Sequence, residues 1–210
     1  ARFNKDLNAM VTVDEKGARK RARGADEALK RGEVWGPLHG VPVTIKDNIA
    51  TSGIQTTSGL KDLVGYVPKY AATLDERLKK AGAVILGKTN LPPMAMDVQT
   101  RGPLLGTANN PWDLACTTGG SSGGEAAAVA AGLTAMGFGN DIGGSIRMPA
   151  FFNGVFGHKP TGGLVPNTGQ YPLAEGPAAR YCTTGPLTRR AEDLPFLLSI
   201  LAGKDGKCEG

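Results

Sequence analysis

The sequence predicts an α/β fold, on three observations. Segments with apolar residues at spacings of three and four alternate along the chain with short continuous apolar runs, the patterns of amphipathic helix and buried strand. Neither an internal repeat nor a low-complexity linker divides the 210 residues, so one domain is expected over 1–210. Glycine occurs 31 times, about twice the usual ~7 %, and crowds around two serine-bearing turns where open backbone is expected.

The elements follow in order. Residues 17–31 read as a helix with a narrow stripe of Ala18, Ala22, Ala25 and Leu29. After the loop "GEVWGPLHG", the stretch "VPVTIKD" alternates as a strand does, with Val41, Val43 and Ile45 on one face and Thr44 and Lys46 on the other. Lys46 thereby sits at a strand end opposite the apolar face. "ATLDERLKKAGAVILGKTNLPP" reads as a helix and then a buried strand: Thr73 with Glu76 forms a capping box, Leu74, Leu78 and Ala81 share a face, and 83–86 is the strand. A helix over 124–131, a buried strand over 133–138 and a further strand at "GVFGHKP" are expected next. The tail "TRRAEDLPFLLSILAG" is an amphipathic helix whose start Pro195 confines to the first turn.

Composition narrows the function. No run approaches the ~18 apolar residues of a membrane helix, and "ARFNKDLNAM" has no signal-peptide core. The net charge of +5 is concentrated in "EKGARKRARGADEALKR", which reads as a solvated helix face and makes nucleic acid the weaker partner. Cys116, Cys182 and Cys208 are odd in number and lack metal-type pairing, so neither a disulfide framework nor a zinc site is expected and a reducing cytoplasm fits.

Two familiar patterns fail on inspection. "GAVILGKT", residues 82–89, satisfies the P-loop pattern by letter, but a P-loop needs its strand before the first glycine and flexible residues between the glycines. Here the middle is itself the strand. His39 and His158, candidates for the base of a histidine-type serine hydrolase, both lie in Gly/Pro-punctuated turns that favour a structural role, and no "GxSxG" elbow is present.

The informative stretch is "TTGGSSGGEAAAVAAGLTAMGFGNDIGGSIRMPA", which carries serines in two glycine turns. Ser145, in the second turn ahead of a short helical segment, would stand beside several free backbone amides, as an oxyanion requires. A serine hydroxyl needs a proton acceptor, and Lys46 can act as one if burial lowers its pKa from ~10.4 towards neutrality. Taken singly, Ser121 and Ser122 read as turn residues and Lys46 as a lysine reaching to solvent.

Together these residues resemble the amidase signature family. "GGSSGGEAAAVAAG", "GNDIGGSIRMPAFFNGVFGHKPTGG", "GPLHGVPVTIKDNI" and "AGAVILGKTNLP" match its segments, and the spacing of Lys46, Ser121 and Ser145 agrees with its pattern. The resemblance implies a mixed central sheet flanked by helices on both faces, of which the chain carries the catalytic half, incomplete at both ends. It implies a Ser-cis-Ser-Lys triad: Ser145 as nucleophile, Ser121 as relay after a cis bond from Gly120, and Lys46 as base. Ile142, Gly143, Gly144 and Ser145 would supply the oxyanion amides, with Ser122 supporting the lysine network and Asp141 and Arg147 holding the turn.

The implied reaction is cofactor- and metal-free hydrolysis of a small-molecule carboxamide, in the cytoplasm, with a homodimer left open. "DIGGSIRMPAFFNGVFGHKP" followed by "LVPNTGQYPLAEGP" resembles most the branch that includes the second type of fatty acid amide hydrolase. Amidotransferase subunits that work on misacylated tRNA show Thr where Ile142 stands and Gln where Met148 stands. A self-contained hydrolase is therefore preferred, while a non-catalytic scaffold of the same fold and an A-type amidotransferase subunit stay open. Met148, Phe151 and Phe152 would either line an acyl site or form core beneath the turn.

Overall fold

The computed structural model describes residues 3–207, so Cys208 lies outside the described residues. The elements run α1 (Asn4–Leu7), β1 (Met10–Val13), α2 (Glu15–Lys30), β2 (Pro42–Lys46), α3 (Thr73–Lys80), β3 (Val84–Thr89), the small hairpin β4 (Arg101–Gly102) and β5 (Gly106–Thr107), α4 (Gly123–Ala130), β6 (Met136–Asp141), α5 (Arg147–Asn153), β7 (Phe156–Gly157), β8 (Thr183–Thr188) and α6 (Asp193–Leu201). Six strands form one mixed sheet in the order β1-β3-β2-β6-β8-β7. β3, β2 and β6 are parallel, and the flanking pairs are antiparallel.

The sheet has two differently filled faces. Val43 and Ile45 of β2 and Phe138 of β6 join Leu74 and Leu78 of α3 and Leu197 and Leu201 of α6 in the main apolar core. On the other face Ala126 and Val129 of α4, Ile146 just ahead of α5 and Ala150 within it pack with Leu187 of β8. Small residues let α4 lie close to the strands. The closest approach is at β6, where a Cβ on Gly137 would strike the Glu125 carboxylate and one on Gly139 would lie 2.5 Å from Ser122 Oγ.

Several expectations need correction. In α2, capped by Asp14 Oδ1 accepting from Gly17 N at 3.0 Å, the buried stripe is Ala18, Ala25 and Ala28, and Leu29 is exposed. The difference is one residue of helical phase. The capping box at Thr73 and Glu76 does not form: Thr73 Oγ1 donates to Asp205 Oδ2 at 2.5 Å, and Glu76 pairs with Lys207 at 3.2 Å. The helix expected over 124–131 is shifted by one residue, and the strand expected over 133–138 runs through Gly137 and Gly139 to Asp141. At "GVFGHKP" the strand is only Phe156–Gly157 at the sheet edge, with Phe156 exposed.

The rejected P-loop is β3 itself, whose Lys88 is buried and donates to Ile49 O and to Thr51 Oγ1 at 2.7 Å. His39 is a structural residue, with Nδ1 accepting from Trp35 N at 3.0 Å and Nε2 lying 3.1 Å from Ala25 O. Among the described residues, no helix is long and apolar enough to cross a membrane, and no group of three His, Cys, Asp or Glu could hold a metal.

Candidate active site

β2 and β6 run parallel, so their C-terminal ends, and the loops that follow, open on the same edge of the sheet. Lys46 closes β2, Asp141 closes β6, and the turn 119–122 leads into α4 between them. Parallel pairing of Thr44 with Gly137 puts Thr44 and Lys46 on the α4 face. Lys46 is fully buried there and does not reach solvent. Its Nζ lies 2.6 Å from Ser121 Oγ and 2.6 Å from Asn140 Oδ1. Burial, opposed in smaller measure by Cys182, Asp141 and Glu125, lowers its pKa to about 7.

Ser121 and Ser122 are both fully buried, and the Gly120-Ser121 peptide bond is cis. The turn is seated tightly: a Cβ on Gly120 would lie 2.7 Å from Asp97 O, and Gly119 has φ +70. Ser122 N donates to Ser145 O at 3.1 Å, joining the two serine turns through their backbones, and Ser122 Oγ donates to Asn140 O at 3.4 Å.

Asp141 organises the second turn. Its carboxylate accepts from the amides of Gly144 (2.8 Å), Ile146 (3.0 Å) and Arg147 (3.2 Å) and from the Arg147 guanidinium at 3.0 Å on each oxygen. Burial works to raise its pKa, but the guanidinium and these amides outweigh it and hold the carboxyl below the usual range. Of the amides expected over 142–145 to form the oxyanion cradle, that of Gly144 donates to Asp141 Oδ1. Among the described residues, the amides of Ile142, Gly143 and Ser145 make no hydrogen bond within the protein. Ile142 and Gly143 are exposed and Ser145 is half-buried, so this edge of the turn faces outward. Phe151 and Phe152 are 83 % and 43 % exposed, with the Phe152 ring lying against Gly119 of the first serine turn, and Met148 is half-buried.

Three polar residues around the lysine are not evident from the sequence. Asn140 touches Lys46 directly, and its Nδ2 donates to Gln170 Oε1 at 2.8 Å. Glu125, fully buried in the first turn of α4, accepts from Thr44 Oγ1 at 2.6 Å, and burial pushes its pKa up to about 7. Position in the motif is the only signal the sequence offers for two of them: Asn140 immediately precedes the "DIGGS" turn and Glu125 follows "GGSSGG".

A family model described as Amidase matches residues 1–209. The chain is 48 % identical over 201 residues to the A-type subunit of glutamyl-tRNA(Gln) amidotransferase from Carboxydothermus hydrogenoformans, covering 96 % of the chain and 41 % of that protein. It is 45 % identical over 202 residues to fatty-acid amide hydrolase 2 of Homo sapiens, covering 96 % of the chain and 37 % of that protein. The X-ray structure of peptide amidase from Stenotrophomonas maltophilia superimposes with a TM-score of 0.89 at 36 % identity, over 97 % of the chain and 43 % of that structure. The chain thus spans about two fifths of the length of the relatives it matches. Relatives of both branches match at nearly equal identity.

Proposed function

The chain belongs to the amidase family, and we propose that it carries the acylating machinery of a serine amide hydrolase, acting on a small-molecule carboxamide. The observation that carries the reading is the buried Lys46 amine, 2.6 Å from Ser121 Oγ with a pKa of about 7, so that half of it is neutral near pH 7. Neutral Lys46 accepts the Ser121 proton as Ser121 accepts that of Ser145, and Ser145 Oγ attacks the amide carbon. The amides of Ile142, Gly143 and Ser145, uncommitted among the described residues, suit the oxyanion, each critical donor being worth about 3–4 kcal/mol in comparable sites. The proton returns by the same path to the departing nitrogen, the C–N bond breaks, and water, deprotonated in the same way, releases the acid from Ser145.

Intact mass after incubation with a fluorophosphonate tests this. One adduct is expected on the wild-type chain and none on Ser145→Ala; an adduct retained by Ser145→Ala would sink the assignment of the nucleophile. A second reading, an A-type amidotransferase subunit working in a complex, is favoured by the 48 % identity to such a protein. It predicts that the isolated chain hydrolyses no amide until its partners are added.

A further inference from the structure

Proton transfer from Ser121 needs a lysine whose lone pair faces that serine, and burial alone does not orient an amine. A neutral primary amine has two N–H bonds and one lone pair, and the lone pair is free for Ser121 only if an N–H is directed elsewhere. Asn140 Oδ1, 2.6 Å from Lys46 Nζ, is where it goes. Resting on the hydrolase reading, we propose that Asn140, held in place by Gln170, is the positioning residue of the base: an uncharged acceptor that aims Lys46 at Ser121 without fixing it as an ammonium.

The surrounding hydrogen bonds have a single direction. Turned over, the Asn140 amide would present NH2 to Lys46 and compete for the lone pair that Ser121 needs. Gln170 prevents this by accepting from Asn140 Nδ2 at 2.8 Å. Gln170 is itself locked, because its Nε2 donates to Asn167 Oδ1 at 2.9 Å and to Thr184 Oγ1. Asn167 is anchored in turn by donating from Nδ2 to Cys182 O at 2.7 Å. Asn140 and Gln170 are 7 % and 8 % exposed, so water does not compete well for these groups.

Charge explains why an amide stands here. The ionisable groups bearing on Lys46 are Asp141 at the end of β6, Glu125 from α4 and Cys182 ahead of β8. Asp141 is engaged by Arg147 and three amides, and Glu125 by Thr44. A carboxylate at position 140 would be in direct contact with the amine and would keep it protonated.

Asn140→Asp is nearly isosteric and tests this. An opposite charge at such range raises an amine's pKa by about 1–3 units, so fluorophosphonate labelling at pH 7 should fall roughly 5- to 500-fold and recover towards pH 10. Gln170→Leu, which frees Asn140 to turn, should lower the plateau rate severalfold without raising the acid limb. In parallel, NMR titration of 13C-labelled lysine follows the protonation of Lys46 whether or not the protein hydrolyses anything. An unlabelled wild type with an upward shift in Asn140→Asp would sink the hydrolase reading and leave the positioning role standing. Superimposable titrations of wild type and Asn140→Asp, or equal loss of labelling at every pH, would overturn the proposal. If Asn140→Asp fails to fold by circular dichroism, Gln170→Glu places the charge one link further away; a smaller upward shift is expected, and no shift overturns the proposal equally.

Discussion

Replacing Lys46 with methionine, similar in length but uncharged, should abolish the chemistry and change stability in a way that depends on pH. Lys46 is fully buried and has a pKa of about 7, against 10.5 for an ordinary lysine. Between those values the unfolded chain binds more protons than the folded one, so wild-type stability rises with pH through that window. At about 1.4 kcal/mol per pKa unit, burying the ammonium costs about 5 kcal/mol well below pH 7, about 4 at pH 7, about 2 at pH 9 and almost nothing above pH 10.5. Methionine removes this cost. It also leaves Asn140 Oδ1 and Ser121 Oγ without their partner at 2.6 Å, a loss of about 1–3 kcal/mol per buried group that does not vary with pH.

The pH dependence therefore separates the two contributions. The stability of Lys46→Met relative to wild type should decrease by about 2 kcal/mol between pH 7 and pH 9. Lys88, with a pKa lowered to about 8 by burial, and Glu125, raised to about 7 by burial, titrate in both proteins and largely cancel in the comparison. Urea denaturation at pH 7, 8 and 9, with slopes compared as well as midpoints, measures the difference. A difference that stays flat over this range would refute the claim that Lys46 enters the fold by giving up its proton.

Two further outcomes follow from the same contacts. Gly139→Ala places a Cβ 2.5 Å from Ser122 Oγ and should destabilise the protein by about 1–3 kcal/mol while slowing fluorophosphonate labelling of Ser145, measured by urea denaturation and intact mass. Asp141→Asn keeps the side-chain shape but removes the charge that meets Arg147 and three amides; a loss of about 2 kcal/mol and slower labelling are expected from the same two assays.

The parallel heart of the sheet was legible because Val43, Ile45 and the apolar run of β3 obey simple patterns, and the main core lies on their side. β8 was not legible. Its sequence "TTGPLT" places glycine and proline at the centre of what proves to be an interior strand, a combination that reads as a break. The strand persists because Gly185 makes room for His158 O and Pro186 still offers its carbonyl to His158 N at 3.1 Å. β1 is only four residues, too short for alternation to stand out. At the site, the glycine turn suggested Ser145 and the strand end Lys46, while Ser121, which alone reads as a turn residue, entered only through the resemblance. Asn140 could not be found from pattern, because its partners Lys46 and Gln170 are 94 and 30 positions away and only the fold brings them together.

The bare backbone of β6 has a mechanical consequence. At Gly137 and Gly139 the strand meets Glu125 and Ser122 directly, with no side chain of its own between sheet and helix. The strand that leads to Ser145 and the helix that follows Ser121 are thus separated only by the buried side chains of Glu125 and Ser122, and joined by the bond from Ser122 N to Ser145 O. A displacement of either serine turn therefore has to carry the other with it, whereas the main core lies on the far side of the sheet. Sequence change in that core can alter how long the protein lasts without altering the distance a proton has to travel.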